Sequence, residues 1–258
     1  MLGLGQTCGS ITEVGFHNQG SINFDGTNDY VDIDNIAATL ATAFADGEGG
    51  NTNLAFSISM WVTIETMSST GVAFNLRVGT SGDNHLNLQW HGSNNLLRFT
   101  SKIDGTAETA DDDGSGSYTA SGAAENDGNW YHVVGTVADG GACELWINGT
   151  KRDSQNVANT LQGTVNTCNI ATNTSEANFW NGNINDVSVW TRVLTDAEIL
   201  AMYRDSDMNL LYSPSVASTG LVGYYRFEEK TGTVAINDAD TSKNGTLTNS
   251  PTYSTETP

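Results

Sequence analysis

The chain has 258 residues, 38% of them hydrophobic, with six Trp, eight Tyr and eight Phe, which suits one large β domain or two small ones. Thirty Asp and Glu against ten Lys and Arg give a formal net charge of −20. That balance excludes nucleic acid and anionic lipid as partners, because their phosphates need cationic side chains.

Residues 1–19 read as an arm. Apolar Leu2, Leu4, Ile11, Val14 and Phe16 are interspersed with Gly at 3, 5, 9 and 15, which denies the segment a fold of its own and suits docking on another surface. Met1–Thr7 has no basic n-region, so no secretory leader is expected there, and no apolar run is long enough for a membrane-spanning helix. At Phe24-Asp25-Gly26-Thr27-Asn28-Asp29-Tyr30-Val31 a tight turn separates two strands: Gly accepts positive φ, and Asp can bond to nearby backbone. Tyr30 to Asp34 then alternates apolar and acidic, the pattern of a strand with one wet face.

The Ala-rich stretch 35–45 predicts a short helix with Asp34 or Asn35 as its cap. Strands are expected at 55–65, 72–79, 85–91, 95–103, 129–138, 143–148, 164–171 and 183–190, separated by turns such as Asn148-Gly149 and Asn181-Gly182. Residues 104–128 are mostly small or acidic and read as an exposed loop or a weakly paired edge hairpin. Thr195-Asp196-Ala197-Glu198 is a capping box that opens a helix near 195–204. Three Cys make no disulfide framework: Cys143 and Cys168 lie on neighbouring predicted β segments and could pair, while the odd count favours unpaired, buried thiols. Many short strands with turn signals between them point to a two-sheet antiparallel sandwich.

Four blocks carry a family resemblance. They are Phe24-Asp25-Gly26 through Tyr30-Val31; Phe56-Ser57-Ile58-Ser59-Met60-Trp61-Val62; Trp130-Tyr131-His132-Val133-Val134 with Leu145-Trp146-Ile147-Asn148-Gly149; and Gly182-Asn183-Ile184-Asn185-Asp186-Val187 with Arg192-Val193-Leu194-Thr195. Their order over roughly residues 20–205 resembles the laminin-G-like, concanavalin A-like jelly-roll family. The segment 220–247, with Gly220-Leu221-Val222-Gly223-Tyr224-Tyr225-Arg226-Phe227, is similar to the strand that usually precedes the first block. The expected organisation is thus an arm at 1–19 and a single jelly roll at 20–258, with 220–247 supplying a permuted edge or first strand. A second, truncated module is the alternative.

The resemblance implies sites as well as a fold. Structural Ca²⁺ in related jelly rolls implies a metal site of Asp186 with Asp25, Gly26 and Asp29; Ca²⁺ takes six to eight oxygens, which acidic turns and carbonyls can supply. For sugar stacking the candidate platforms are Trp90, beside His91, Asn94 and Asn95, and Trp180; core packing is the competing role for both. Trp61, Trp130, Trp146 and Trp190 fall in the family's core blocks and are expected to pack. His132 is expected to be packed and hydrogen-bonded, and His85 and His91 to share one strand face. Family glucanases carry an E-x-D-x-E strand, absent here; Asp32 and Asp34 are expected on the wet face of an edge strand.

The expected function is non-enzymatic: a surface or structural protein of a tailed-phage virion, assembled in the host cytoplasm as a head decoration or fibre component. Its partners would be copies of itself, other virion proteins and a cell-surface glycan. A secreted bacterial adhesion or carbohydrate-binding module is the alternative, with an extracellular location, and a glycoside hydrolase is the third reading.

Overall fold

A computed structural model describes residues 18–45, 54–67, 69–79, 82, 84–103, 105–138, 140–157, 164–173, 175 and 177–258. Its elements run β1 (Ser21–Asp25), β2 (Tyr30–Asp32), α1 (Ala37–Phe44), β3 (Ala55–Val62), β4 (Gly71–Val78), β5 (His85–His91), β6 (Leu96–Ile103), β7 (Thr106–Asp111) and β8 (Tyr131–Ala138). They continue with β9 (Ala142–Ile147), β10 (Thr150–Asn156), β11 (Val165–Ile170), β12 (Asn181–Trp190), α2 (Asp196–Arg204), β13 (Leu221–Tyr225), β14 (Val234–Ala235), β15 (Gly245–Thr248) and β16 (Thr252–Ser254).

Two antiparallel sheets form a jelly-roll sandwich. The first has the order β10-β9-β8-β3-β12-β1-β16, with β13 also paired to β12; the second has the order β14-β15-β2-β11-β4-β5-β6-β7. The core between them follows from period-two alternation. In β5, Leu86, Leu88 and Trp90 are buried, while His85, Asn87, Gln89 and His91 are half-buried on the other face.

The first sheet is covered on both faces near its middle. Phe56, Ile58, Met60 and Val62 of β3 enter the main core. On the outer face, α2 packs Ile199 and Met202 against Val134, Trp146, Trp190 and Tyr224. The capping box forms as expected: Thr195 accepts from the Glu198 backbone and Glu198 reaches back to the N-cap. Glu198 also pairs in bidentate fashion with Arg192, at 2.8 and 2.7 Å.

The C-terminal segment pairs into both sheets. Strand β13 lies beside β12, β15 beside β2 and β16 beside β1. Tyr224, Tyr225 and Phe227 are buried. This corrects the edge assignment of Asp32 and Asp34, because β2 lies between β15 and β11. Asp34 does not cap α1 either. A single 3₁₀ turn, Asp34–Ile36, precedes that helix, whose N-cap is Ile36 without a side-chain bond. The Asp34 carboxylate instead accepts the Cys168 N–H at 2.6 Å.

Residues 106–111 form the edge strand β7. Cys143 and Cys168 are free and buried in opposite sheets, and burial pushes the Cys143 thiol up to about 12. The arm residues Leu2, Leu4, Ile11, Val14 and Phe16 lie outside the described residues, as does Cys8.

Candidate functional site

Three loops meet at one end of the sandwich. In the β1–β2 turn, Thr27 donates its N–H to Asp25 Oδ1 at 2.8 Å, closing an Asx turn. Gly26 has φ +70°, and a Cβ there would lie 2.8 Å from the Asn181 Cβ, so the turn needs glycine twice over. Asn181, at the start of β12, donates Nδ2–H to the Thr66 carbonyl at 2.7 Å and so ties the β3–β4 loop to the rim. The Val72 N–H bonds to the Asn178 carbonyl at 2.8 Å and ties in the β11–β12 loop.

Between these loops lies an open groove of about 550 Å³. Hydroxyls of Thr27, Thr66 and Thr70, amides of Asn178 and Asn181, and the half-buried ring of Phe179 line it. A half-buried ring beside hydroxyl and amide groups can hold a polar ligand with one apolar face. Among its described lining residues Asp25 is the one carboxylate. Asp29, just behind, is buried; burial and then the charge of Asp25 raise its pKa.

Asp186 does not join this turn. Register places Asp25 opposite Asn181, and Asp186 is five residues further along β12, about 17 Å away at the rise of a strand. Ligands of one Ca²⁺ lie about 2.4 Å from the ion, so the four residues expected to share it cannot do so. No group of three His, Cys, Asp or Glu is placed to hold a metal among the described residues.

Asp186 instead belongs to a polar cluster beneath α2. It sits at φ +47°, where β12 bulges between Asn185 and Ser188. Asn18 donates Nδ2–H to Asp186 Oδ2 at 2.9 Å, and Arg226 Nε lies 3.6 Å from Oδ1. Burial raises the Asp186 pKa to about 7; Arg226 pulls the other way and Glu228 adds to the rise. Nearby, His132 Nε2 lies 2.9 Å from Ser59 Oγ, as expected of a packed histidine, and its ring contacts Trp61. Burial lowers the His132 pKa to about 3, so the ring is neutral.

Ser59 and His132 are within nucleophile–base distance. The cavity they share with Asp186 and Tyr224 is about 20 Å³, room for one water and no substrate. The contacts of the cluster tie Asn18 to β12 and β3 to β8. Sequence reasoning missed Ser59 and Arg226, whose roles depend on contacts between distant segments.

The aromatic platforms are corrected. Trp90 is 1% exposed and Trp180 fully buried, with its indole N–H donated to the Thr63 carbonyl at 3.2 Å. Neither ring can stack on a sugar. His91 is half-buried, while Asn94 and Asn95 are exposed in the β5–β6 turn, where both N–H groups bond the His91 carbonyl. His85 and His91 share the outer face of β5, six residues or about 20 Å apart, too far for one metal.

Residues 25–200 match the family model of the concanavalin A-like lectin/glucanases superfamily, of the laminin G type. A candidate carbohydrate binding protein from Bacteroides ovatus has a similar structure, with TM-score 0.57 and 19% identity over 92% of this chain. The chain spans 60% of the length of that protein. A heptameric SAP-like pentraxin from Limulus polyphemus is similar at TM-score 0.53 and 13% identity, over 89% of this chain and 94% of the pentraxin. These likenesses show the fold. No curated protein matches the chain in sequence.

Proposed function

The chain belongs to the concanavalin A-like lectin/glucanases superfamily, and from that premise we propose that it is a non-enzymatic glycan-binding jelly roll on the outer surface of a tailed-phage virion. The rim groove carries the binding reading. Its volume falls in the range of small-ligand sites, and its hydroxyl, amide and aromatic lining suits a saccharide. The carbohydrate-binding description of the Bacteroides ovatus protein adds support.

Support for a non-enzymatic role is chemical. Glycoside hydrolysis by the usual routes uses two carboxylates across the scissile bond. Asp25 stands in the groove without a second carboxylate among the described lining residues. Asp34 is engaged with the Cys168 backbone.

Support for the particle setting is coarser. A −20 surface keeps the protein off nucleic acid, and the glycine-spaced apolar residues of the arm suit contact with another subunit. A secreted bacterial carbohydrate-binding module is the second reading, favoured by the bacterial neighbour. A glycan microarray tests binding, and mass spectrometry of purified particles tests the setting. Silence across neutral, acidic and amino glycans would overturn the first, and absence from particles the second.

A further inference from the structure

The outer face of the first sheet is only half covered by α2. Away from that helix, register lines up a row through β12, β1 and β16 and the residues that flank β3 and β8. Asn23 lies opposite both Asn183 and Thr252. Thr63 exchanges two bonds with Asn183, its N–H to the Asn183 carbonyl at 2.9 Å and its Oγ1 accepting the Asn183 N–H at 2.8 Å. Val62 pairs with Tyr131, which sets Trp130 beside Thr63. The row Trp130–Thr63–Asn183–Asn23–Thr252 thus spans four strand spacings, about 19 Å.

Two adjoining concavities, about 270 and 450 Å³, open on this row and share Glu65, Asn183 and Glu256. Asn183 is 3% exposed. Its Nδ2–H goes to Glu256 Oε2 at 2.9 Å, while its Oδ1 is buried with no hydrogen-bond partner. A buried carbonyl left so is unfavourable unless something donates to it. Around it stand two exposed carboxylates, Glu65 and Glu256, and Trp130, which was expected to pack in the core but lies half-buried outside it. No Lys, Arg or His lines either concavity among the described residues.

A free acceptor, two carboxylates and an indole face, without a cation, form a site for a positively charged donor. We propose that this shelf binds a protonated primary amine carried on a saccharide, that is, an amino sugar whose nitrogen is not acetylated. The ammonium offers three N–H donors to Glu65, Glu256 and, once a small turn of its side chain opens it to the concavity, Asn183 Oδ1, and lies against Trp130. The hydroxyls and amides of Thr63, Asn23 and Thr252 are left for the sugar's own hydroxyls. The shelf starts two residues along β12 from Asn181 of the rim groove, so one chain of sugars can reach both. To that extent the inference rests on the glycan reading.

The test is calorimetric titration of the full chain with a glucosamine trimer and with its fully N-acetylated counterpart, at a pH that keeps the amine charged. The charged trimer should bind about tenfold more tightly, a preference reduced by salt. Glu65→Gln and Trp130→Ala, both outside the core, should each erode it, and Glu65→Gln with Glu256→Gln should abolish it. Equal affinity for the two trimers overturns the shelf and leaves the groove standing. Preference that survives Phe179→Ala but not Glu65→Gln supports the shelf, while undiminished affinity of Phe179→Ala for both trimers counts against the groove. Binding of oligolysine with neither trimer, or of nothing at all, overturns the shelf, and the glycan microarray then decides the groove.

Discussion

Arg226 Nε lies 3.6 Å from Asp186 Oδ1, with the two side chains 10% and 11% exposed. The β12–β13 register creates this pair: Val187 faces Tyr225, so the next residues along, Asp186 and Arg226, face each other. The resemblance implied a calcium ligand at Asp186, and the fold gives that carboxylate an internal cation.

The pair predicts a pH dependence. The folded-state pKa of Asp186, about 7, stands above its ordinary 3.8, so the folded protein holds a proton that the unfolded chain releases. That contribution is complete below pH 3.8 and is lost as pH rises through 7. Asp186→Asn should therefore gain stability relative to the parent between pH 4 and 7, by up to about 1.4 kcal/mol per pH unit, with a constant difference above that window. Denaturant unfolding at several pH values checks it. A difference that shrinks as pH rises would contradict it.

His132 predicts the opposite slope. Its folded pKa of about 3 lies below the ordinary 6.5, so its contribution is complete above 6.5 and lost as pH falls toward 3. His132→Gln should cost most at pH 7 and above, and progressively less in acid. The same titration series reads this, and a cost independent of pH would contradict it.

Much of the fold was legible because turns and alternation are local. The β5 strand His-Leu-Asn-Leu-Gln-Trp-His was readable to the residue, and its period of two already put Trp90 on the face of Leu86 and Leu88. The sugar-platform role of Trp90 conflicted with that period. The site was less legible. A bulge after Asn185 breaks the alternation at Asp186, so no periodicity says which way its side chain goes. Arg226 is 40 residues further along the sequence and meets it only through strand pairing. Asn183 reads in sequence as one more turn-adjacent amide, and its unpartnered oxygen emerges only once β12 is paired with its neighbours.

The C-terminal strands predict a truncation phenotype. Tyr224, Tyr225 and Phe227 are buried, each worth roughly 1.5–3 kcal/mol, and β15 and β16 cover β2 and β1. A chain ending at Ser218 should be insoluble or lack cooperative melting, as followed by near-UV circular dichroism. Melting at the parent temperature would contradict the role given to these strands.

Glu198 predicts a local one. It closes the capping box of α2 and forms the bidentate pair with Arg192, and these bonds hold its pKa down to about 2 against the cost of burial. Glu198→Ala should lower stability by about 2 kcal/mol at pH 7. The loss should shrink as pH falls from 4.5 toward 2, because the parent's own advantage disappears there. A shift in denaturant midpoint at unchanged slope measures it.

The central claim is that the rim groove binds saccharide, and calorimetry on groove variants tests it most directly. Thr27→Trp places an indole in the groove from an exposed turn position, and Phe179→Ala removes its ring. With the strongest glycan from a microarray, each variant should lose about tenfold or more in affinity while keeping the parent's melting temperature. Undiminished affinity in both variants, with melting unchanged, would contradict the account.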